Sequence, residues 1–179
     1  YIGVLEQLRN PEILWETLND LVQENADFKN DFQLKFVGRL DDKILQKIES
    51  SALKNNLTNL GYQTHDVALK HMQDSSVLLI TNFPQESSKG IIPGKIFEYL
   101  ATGKTILSFG PKDADVEKIL NETKAGKHFG YDEKENLKKF ILESYENWKS
   151  GTLNQNAENI EQFSRKNLTQ KLVDLMNKI

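Results

Sequence analysis

The run Pro93-Gly94-Lys95-Ile96-Phe97-Glu98-Tyr99-Leu100-Ala101-Thr102-Gly103-Lys104-Thr105-Ile106-Leu107 decides how the rest of the chain is read. It opens on a tight Pro-Gly turn, continues as a short helix, stops at a glycine and ends in an apolar strand. Just upstream, Val77-Leu78-Leu79-Ile80 reads as another strand, followed by a polar loop. Strand, loop, helix and strand make a βαβ unit, and open parallel sheets place ligands beyond the carboxyl ends of their strands. Unpaired N–H groups at the helix start would face an anion there, with Lys95 on the first turn and Glu98 about one turn further in. A lysine for phosphate and a carboxylate for sugar hydroxyls suit a nucleoside diphosphate.

Outward from that unit, strands and helices alternate with short connections, the pattern of a parallel α/β sheet flanked by helices. Residues 1–5 read as a strand already under way, with no initiator Met before it, so the chain is expected to be a piece of a larger protein. Asn10 is expected to cap a helix with Pro11 at its first position and Ile13, Leu14, Leu18, Leu21 and Val22 on one face. Strands are expected at 32–37, weakly at 57–60, at 77–80, at 105–109 and poorly near 127–129. Asp41 or Asp42 starts a helix carrying Ile44, Leu45, Ile48 and Leu53. Thr64 caps another, with Val67, Ala68, Leu69 and Met72 as its buried face. Further helices are expected over 115–122, 133–149 and 155–178, with 151–156 as a hinge. Leu168, Leu172, Val173, Leu175, Met176 and Ile179 form an apolar stripe that needs a cover.

The composition supports one domain with a helical tail. The chain has 179 residues, 38% of them hydrophobic and 27% charged, enough for a core of its own. A net charge of −3 gives no overall field favouring nucleic acid. The absence of cysteine excludes disulfides, thiolate metal sites and cysteine nucleophiles, and fits a reducing compartment. No apolar run approaches the ~18–20 residues that cross a bilayer.

Arg9 and Lys95 are the phosphate candidates. A pyrophosphate needs compensation for about two negative charges, and a guanidinium fork with a lysine at a helix start supplies it. Arg9 follows the first expected strand by a short loop, at the sheet end where ligands bind. Gly3 either allows close backbone approach there or eases packing in a strand. Pro93 fixes the direction of the turn, and Gly94 lets a phosphate meet the amides with no Cβ in the way. His71 and His128 have no partner at metal spacing, so no metal site is expected. Ser87-Ser88-Lys89-Gly90 lacks the order of a P-loop. Arg39 reads equally well as a surface charge.

Together these stretches resemble the C-terminal domain of retaining glycosyltransferases of family 4, one Rossmann-like half of a GT-B fold. The resemblance runs over nearly the whole chain: Tyr1-Ile2-Gly3-Val4-Leu5 with Arg9, Phe36-Val37-Gly38, Gly61-Tyr62-Gln63-Thr64-His65, Val77-Leu78-Leu79-Ile80, the central GKIFEYLATGK, Thr123-Lys124-Ala125-Gly126 and Phe163-Ser164-Arg165-Lys166. It implies a nucleotide-sugar-binding domain over 1–150, a helical extension over 151–179 packing back on it, and an N-terminal acceptor domain outside this chain. The donor-binding set it implies is Arg9, His65, Pro93, Gly94, Lys95, Ile96 and Glu98, with Gly3, Glu86 and Gly90 as further candidates. Glu98 matches the second of the family's paired glutamates, which accepts hydrogen bonds from the ribose, and His65 lies where the base commonly packs. The first glutamate is expected eight positions before Glu98, where Gly90 stands. Backbone groups of 90–94 replace it, or Glu86 reaches in from the loop; both stay open.

The resemblance further implies sugar transfer from a nucleotide-diphosphate sugar with retention, no metal, and no catalysis by this chain alone. Polysaccharide or cell-envelope glycan synthesis in the cytoplasm, or at the cytoplasmic face of a membrane, is the setting it implies. A non-catalytic nucleotide-binding or flavodoxin-like interaction module is the alternative, since doubly wound sheets host many chemistries.

Overall fold

The computed structural model describes residues 1–154 and 157–178. Among the described residues five strands, all paired in parallel, form two sheets: β1 (Leu34–Phe36) with β2 (Leu57–Asn59), and β3 (Val77–Thr81), β4 (Thr105–Phe109) and β5 (Gly126–Phe129) in that order. The helices are α1 (Glu12–Glu24), α2 (Ala26–Asp31), α3 (Asp42–Glu49), α4 (His65–Asp74), α5 (Lys95–Ala101), α6 (Asp115–Thr123), α7 (Lys134–Lys149) and α8 (Arg165–Met176).

Side chains that alternate along β3 and β4 explain why these strands are mostly apolar. Leu79, Leu107 and Phe109 join one buried cluster with Leu14, Trp15, Leu18, Ile44 and Leu137, the faces of α1, α3 and α7. Leu78, Ile80 and Ile106 point the other way, to Met72, Ile96, Tyr99, Val116 and Leu120 from α4, α5 and α6. A strand covered on both faces has no polar side to show in its sequence.

The first five residues depart from expectation. They touch the first sheet through isolated parallel bridges, Ile2 to Val37 and Leu5 to Leu40, rather than as a strand. Gly3 has φ +112°, outside the extended region, and breaks the ladder between the two bridges. Gly38 matches it with φ +118°, and a Cβ on Gly38 would stand 2.3 Å from the Gly3 carbonyl oxygen.

Other differences are local. Pro11, not Asn10, occupies the cap position of α1; the Asn10 carboxamide instead accepts a 2.6 Å bond from the Trp15 indole, a buried partner that outcompetes a solvent-facing cap. Asp41 does cap α3 through Lys43 N–H, but α3 ends at Glu49, and Leu53 is buried from a 3-10 turn (Ala52–Asn56). Only Met72 of the expected α4 face is buried; Leu69 packs partly buried against the second cluster, and Val67 is exposed.

The expected 155–178 helix is divided. Gln155, Asn156 and Ile179 lie outside the described residues. Ala157, Ile160 and Phe163 settle on the second cluster, with a 3-10 turn over Ile160–Phe163 and a Lys124–Glu158 ion pair at 2.9 Å. The helix itself begins only at Arg165, where Ser164 Oγ caps Asn167 N–H, and it buries no residue. Its apolar stripe, from Leu168 to Met176 at 65% exposure, faces solvent.

Candidate functional site

The carboxyl ends of β3 and β4, the 1–9 segment and the start of α5 converge on one rim. Gly3's unusual backbone brings the Ile2 carbonyl to face α5, where Lys95 Nζ donates to it at 2.9 Å. The same ammonium lies 3.9 Å from the centre of the Tyr1 ring, and a Cβ on Gly3 would stand 3.4 Å from it. Burial, and then the charge of Arg9, lower the Lys95 pKa from 10.5 to about 8. Lys95 Nζ bonds to Ile2 O and Arg9 Nη2 to Val4 O, so both sequence-predicted cations stand at the same N-terminal segment of this rim.

Arg9 ends a 3-10 turn (Gln7–Arg9). Its Nη2 donates to Val4 O at 3.1 Å and to Glu6 Oε2 at 3.3 Å, and its guanidinium carbon lies 5.4 Å from the centre of the Phe83 ring. Arg9 Nε, Thr81 Oγ and Tyr99 Oη are buried and have no hydrogen-bond partner among the described residues. Burial raises the pKa of the Tyr99 and Tyr131 hydroxyls, so both stay protonated.

Two residues that sequence reasoning missed hold this rim together. Asn82 follows β3 directly; its N–H donates to Phe109 O, its Nδ2 to Ile91 O at 2.9 Å, and its Oδ1 accepts from Phe83 N–H. Tyr131 Oη donates to Asn82 O. An asparagine closing an apolar strand ahead of a polar loop is the kind of signal that could have flagged the first; nothing near Tyr131 singles it out. Ser88 Oγ, bonded to Phe83 O and Gln85 O at 2.7 Å each, folds the intervening loop on itself.

At the start of α5, Gly94 is exposed and Pro93 half-buried. Ile96 N–H donates to Pro93 O and Phe97 N–H to Gly94 O, so the helix uses these two amides itself. Among the described residues the amides of Gly94 and Lys95 make no hydrogen bond. The Ile96 side chain is sealed in the second cluster, which removes it as a side-chain contact. Glu98 is exposed and, among the described residues, has neither an ion pair nor a hydrogen bond.

The remaining candidates stand further out. Glu86 is 77% exposed and paired with Lys89 at 2.6 Å. A side chain at Gly90 would meet only Asp115 Oδ2, 4.0 Å away, so space does not demand a glycine there. His65 is exposed at the first position of α4, beyond Gly61, whose carbonyl accepts from Gly38 N–H at 2.7 Å. His128 is buried and fixed by Ser108 Oγ at 3.0 Å and Pro111 O at 3.1 Å. A hollow of about 140 Å³ beside Gly126, Ser144, Asn147 and Asn154 opens at the opposite strand ends and touches none of the candidate residues. Among the described residues no group of three or more His, Asp or Glu could hold a metal ion, and no helix is long and apolar enough to cross a membrane.

The sequence matches no protein-family model and no curated protein. Solved structures do resemble it. HepE of Anabaena, crystallised with UDP, superposes with a TM-score of 0.73 at 17% identity, over 99% of this chain and 48% of HepE. TarM gives 0.70 at 20% identity, over 99% of this chain and 34% of that one; a mutant of the S. aureus protein was crystallised with Fondaparinux, alpha-GlcNAc-glycerol and UDP. WaaG, a glycosyltransferase involved in lipopolysaccharide biosynthesis, gives 0.66 at 15% identity, over 97% and 45%. The chain thus spans half or less of the length of these proteins. Their likeness establishes the fold, parallel sheets flanked by helices as in the Rossmann-like half of GT-B glycosyltransferases.

Proposed function

We propose that this chain is the nucleotide-sugar-binding half of a retaining glycosyltransferase resembling family 4. One observation carries the reading: Arg9 and Lys95, far apart in sequence, share the rim where, among the described residues, the amides of Gly94 and Lys95 are unpaired. The donor's diphosphate lies between the two cations and against those amides, and the ribose hydroxyls bond to the free carboxylate of Glu98. The base extends toward Gly61 and His65. These groups neutralise the leaving diphosphate, so no metal is required. The acceptor and the catalytic histidine belong to an N-terminal domain outside this chain, so the chain alone binds donor and transfers nothing. Synthesis of a polysaccharide or cell-envelope glycan, in the cytoplasm or at the cytoplasmic face of a membrane, is the setting that fits. The crystallisation of HepE and TarM with UDP makes UDP the first ligand to try.

Calorimetry with UDP, GDP and ADP on the wild type and on Glu98→Ala tests the reading. At least one nucleotide binds the wild type, and the substitution weakens it by roughly 1.5–3 kcal/mol, about tenfold to a hundredfold. Equal binding by both proteins removes Glu98 from the account. Binding of no nucleotide overturns the reading and leaves an interaction module of the same fold.

A further inference from the structure

Arg9 is already engaged within the chain. Its Nη2 is shared between Glu6 Oε2 at 3.3 Å and Val4 O at 3.1 Å, while Nε is buried with nothing to bond. Among the described residues Nη1 makes no hydrogen bond either. The guanidinium, which has five N–H groups in a planar fork, is therefore held by one edge and under-satisfied. Glu6 has no competing duty: it stands at the cap position of the 3-10 turn but its side chain makes no capping bond, and Arg9 is its one ion-pair partner among the described residues. Its side chain is 57% exposed, so the pair is weak and readily opened. The Phe83 ring beside Arg9 gives the guanidinium an apolar surface along which to turn.

We propose that Glu6 is a resident counter-ion of Arg9, holding the guanidinium until a phosphoryl oxygen of the ligand displaces it. The inference rests on the nucleotide-binding reading above and adds the group that opposes binding at that site. A phosphoryl oxygen carries more charge than one carboxylate oxygen and can take two N–H bonds of the fork, so the exchange favours the ligand. After the exchange Glu6 remains beside the phosphate as a like charge. It therefore weakens binding twice, first as the competitor and then as the neighbour.

The experiment is a double-mutant cycle on the full chain, with UDP, GDP and ADP titrated by calorimetry in low salt. Glu6→Gln keeps the shape and removes the charge. It is expected to tighten binding about two- to fivefold, the range of an exposed ion pair, and to lose most of that gain in 1 M salt. Glu16→Gln, the same charge change on α1 beside Lys47, is expected to leave affinity unchanged. In an Arg9→Met background Glu6→Gln is expected to keep only the part of the gain that comes from removing a like charge beside the phosphate, and so to gain clearly less. Wild-type binding with no gain from Glu6→Gln, or an equal gain without Arg9, overturns the inference and leaves the reading standing. No binding of any nucleotide by any of the proteins overturns both.

Discussion

Lys95 is the residue whose chemistry gives the site a pH dependence. Its ammonium is enclosed by the Tyr1 ring and the Ile2 carbonyl, with Arg9 as the charged neighbour that opposes it, and its pKa falls from 10.5 to about 8. A lowered lysine pKa means the fold favours the neutral amine, so folding stability rises with pH between about 8 and 10.5. An anion bound beside it has the opposite preference and restores the charged form. Below pH 8 the lysine is already charged and binding takes up no proton. Above that, binding takes up one, and affinity falls by up to about tenfold per pH unit until the free lysine's range is reached. Calorimetry in two buffers of different ionisation enthalpy reads the proton uptake directly, and Lys95→Met is expected to abolish both the slope and the uptake. A flat affinity between pH 7.5 and 9.5 in the wild type would remove Lys95 from the phosphate site. What could be read from residues alone was the pairing of Arg9 with Lys95, since each has a local reason to stand at a strand end. The enclosure of Lys95 could not be read, because it depends on a carbonyl turned by Gly3, 92 positions away. Tyr131 was hidden for the same reason: its bond to Asn82 O joins the segments after β5 and β3.

At the level of elements, the alternation of β3 and β4 between two apolar clusters made both legible as strands, Val77–Ile80 as an uninterrupted apolar run, and Thr105–Phe109 forms over the residues expected. The N-terminal segment was misread because Tyr1 to Leu5 has strand composition but contains the one backbone position that leaves the ladder. The crossing of Gly3 and Gly38 decides both the local fold and the aim of the Ile2 carbonyl. Gly38→Ala tests this coupling. Alanine would need a φ of +118° and a Cβ 2.3 Å from a backbone oxygen, which cannot shift without moving Gly3. A loss of roughly 2–3 kcal/mol in urea unfolding is expected, with nucleotide binding weakened in the protein that remains folded. Gly90→Ala, at a position with open space, is the contrast and is expected to stay within about 0.5 kcal/mol of the wild type. Similar effects from the two would show that the crossing is not what fixes the rim.

The whole molecule divides its C-terminal third by how much each part buries. Ala157, Ile160 and Phe163 lie against the second apolar cluster, with the Phe163 ring centre 6.3 Å from that of Phe97 on α5 and Glu158 tied to Lys124. Beyond them α8 has a cap and a regular ladder but buries none of its 12 residues, and a lone helix of that length is marginal in water. Two truncations should therefore behave differently. Ending the chain after Ser164 is expected to change the unfolding free energy by less than about 1 kcal/mol while removing the exposed Leu172, Leu175 and Met176, so that binding of a hydrophobic dye falls. Ending it after Asn154 removes Ala157, Ile160 and Phe163 from the second cluster and leaves Phe97 without its ring partner, and is expected to cost at least about 3 kcal/mol, the scale of losing one large buried aromatic. Because Phe97 is on the helix that carries Lys95 and Glu98, the longer truncation should also weaken nucleotide binding, whereas the shorter should leave it unchanged. If removing α8 alone unfolds the domain or abolishes binding, the stripe is covered by this chain itself, and the division between a packed strap and a free helix is wrong.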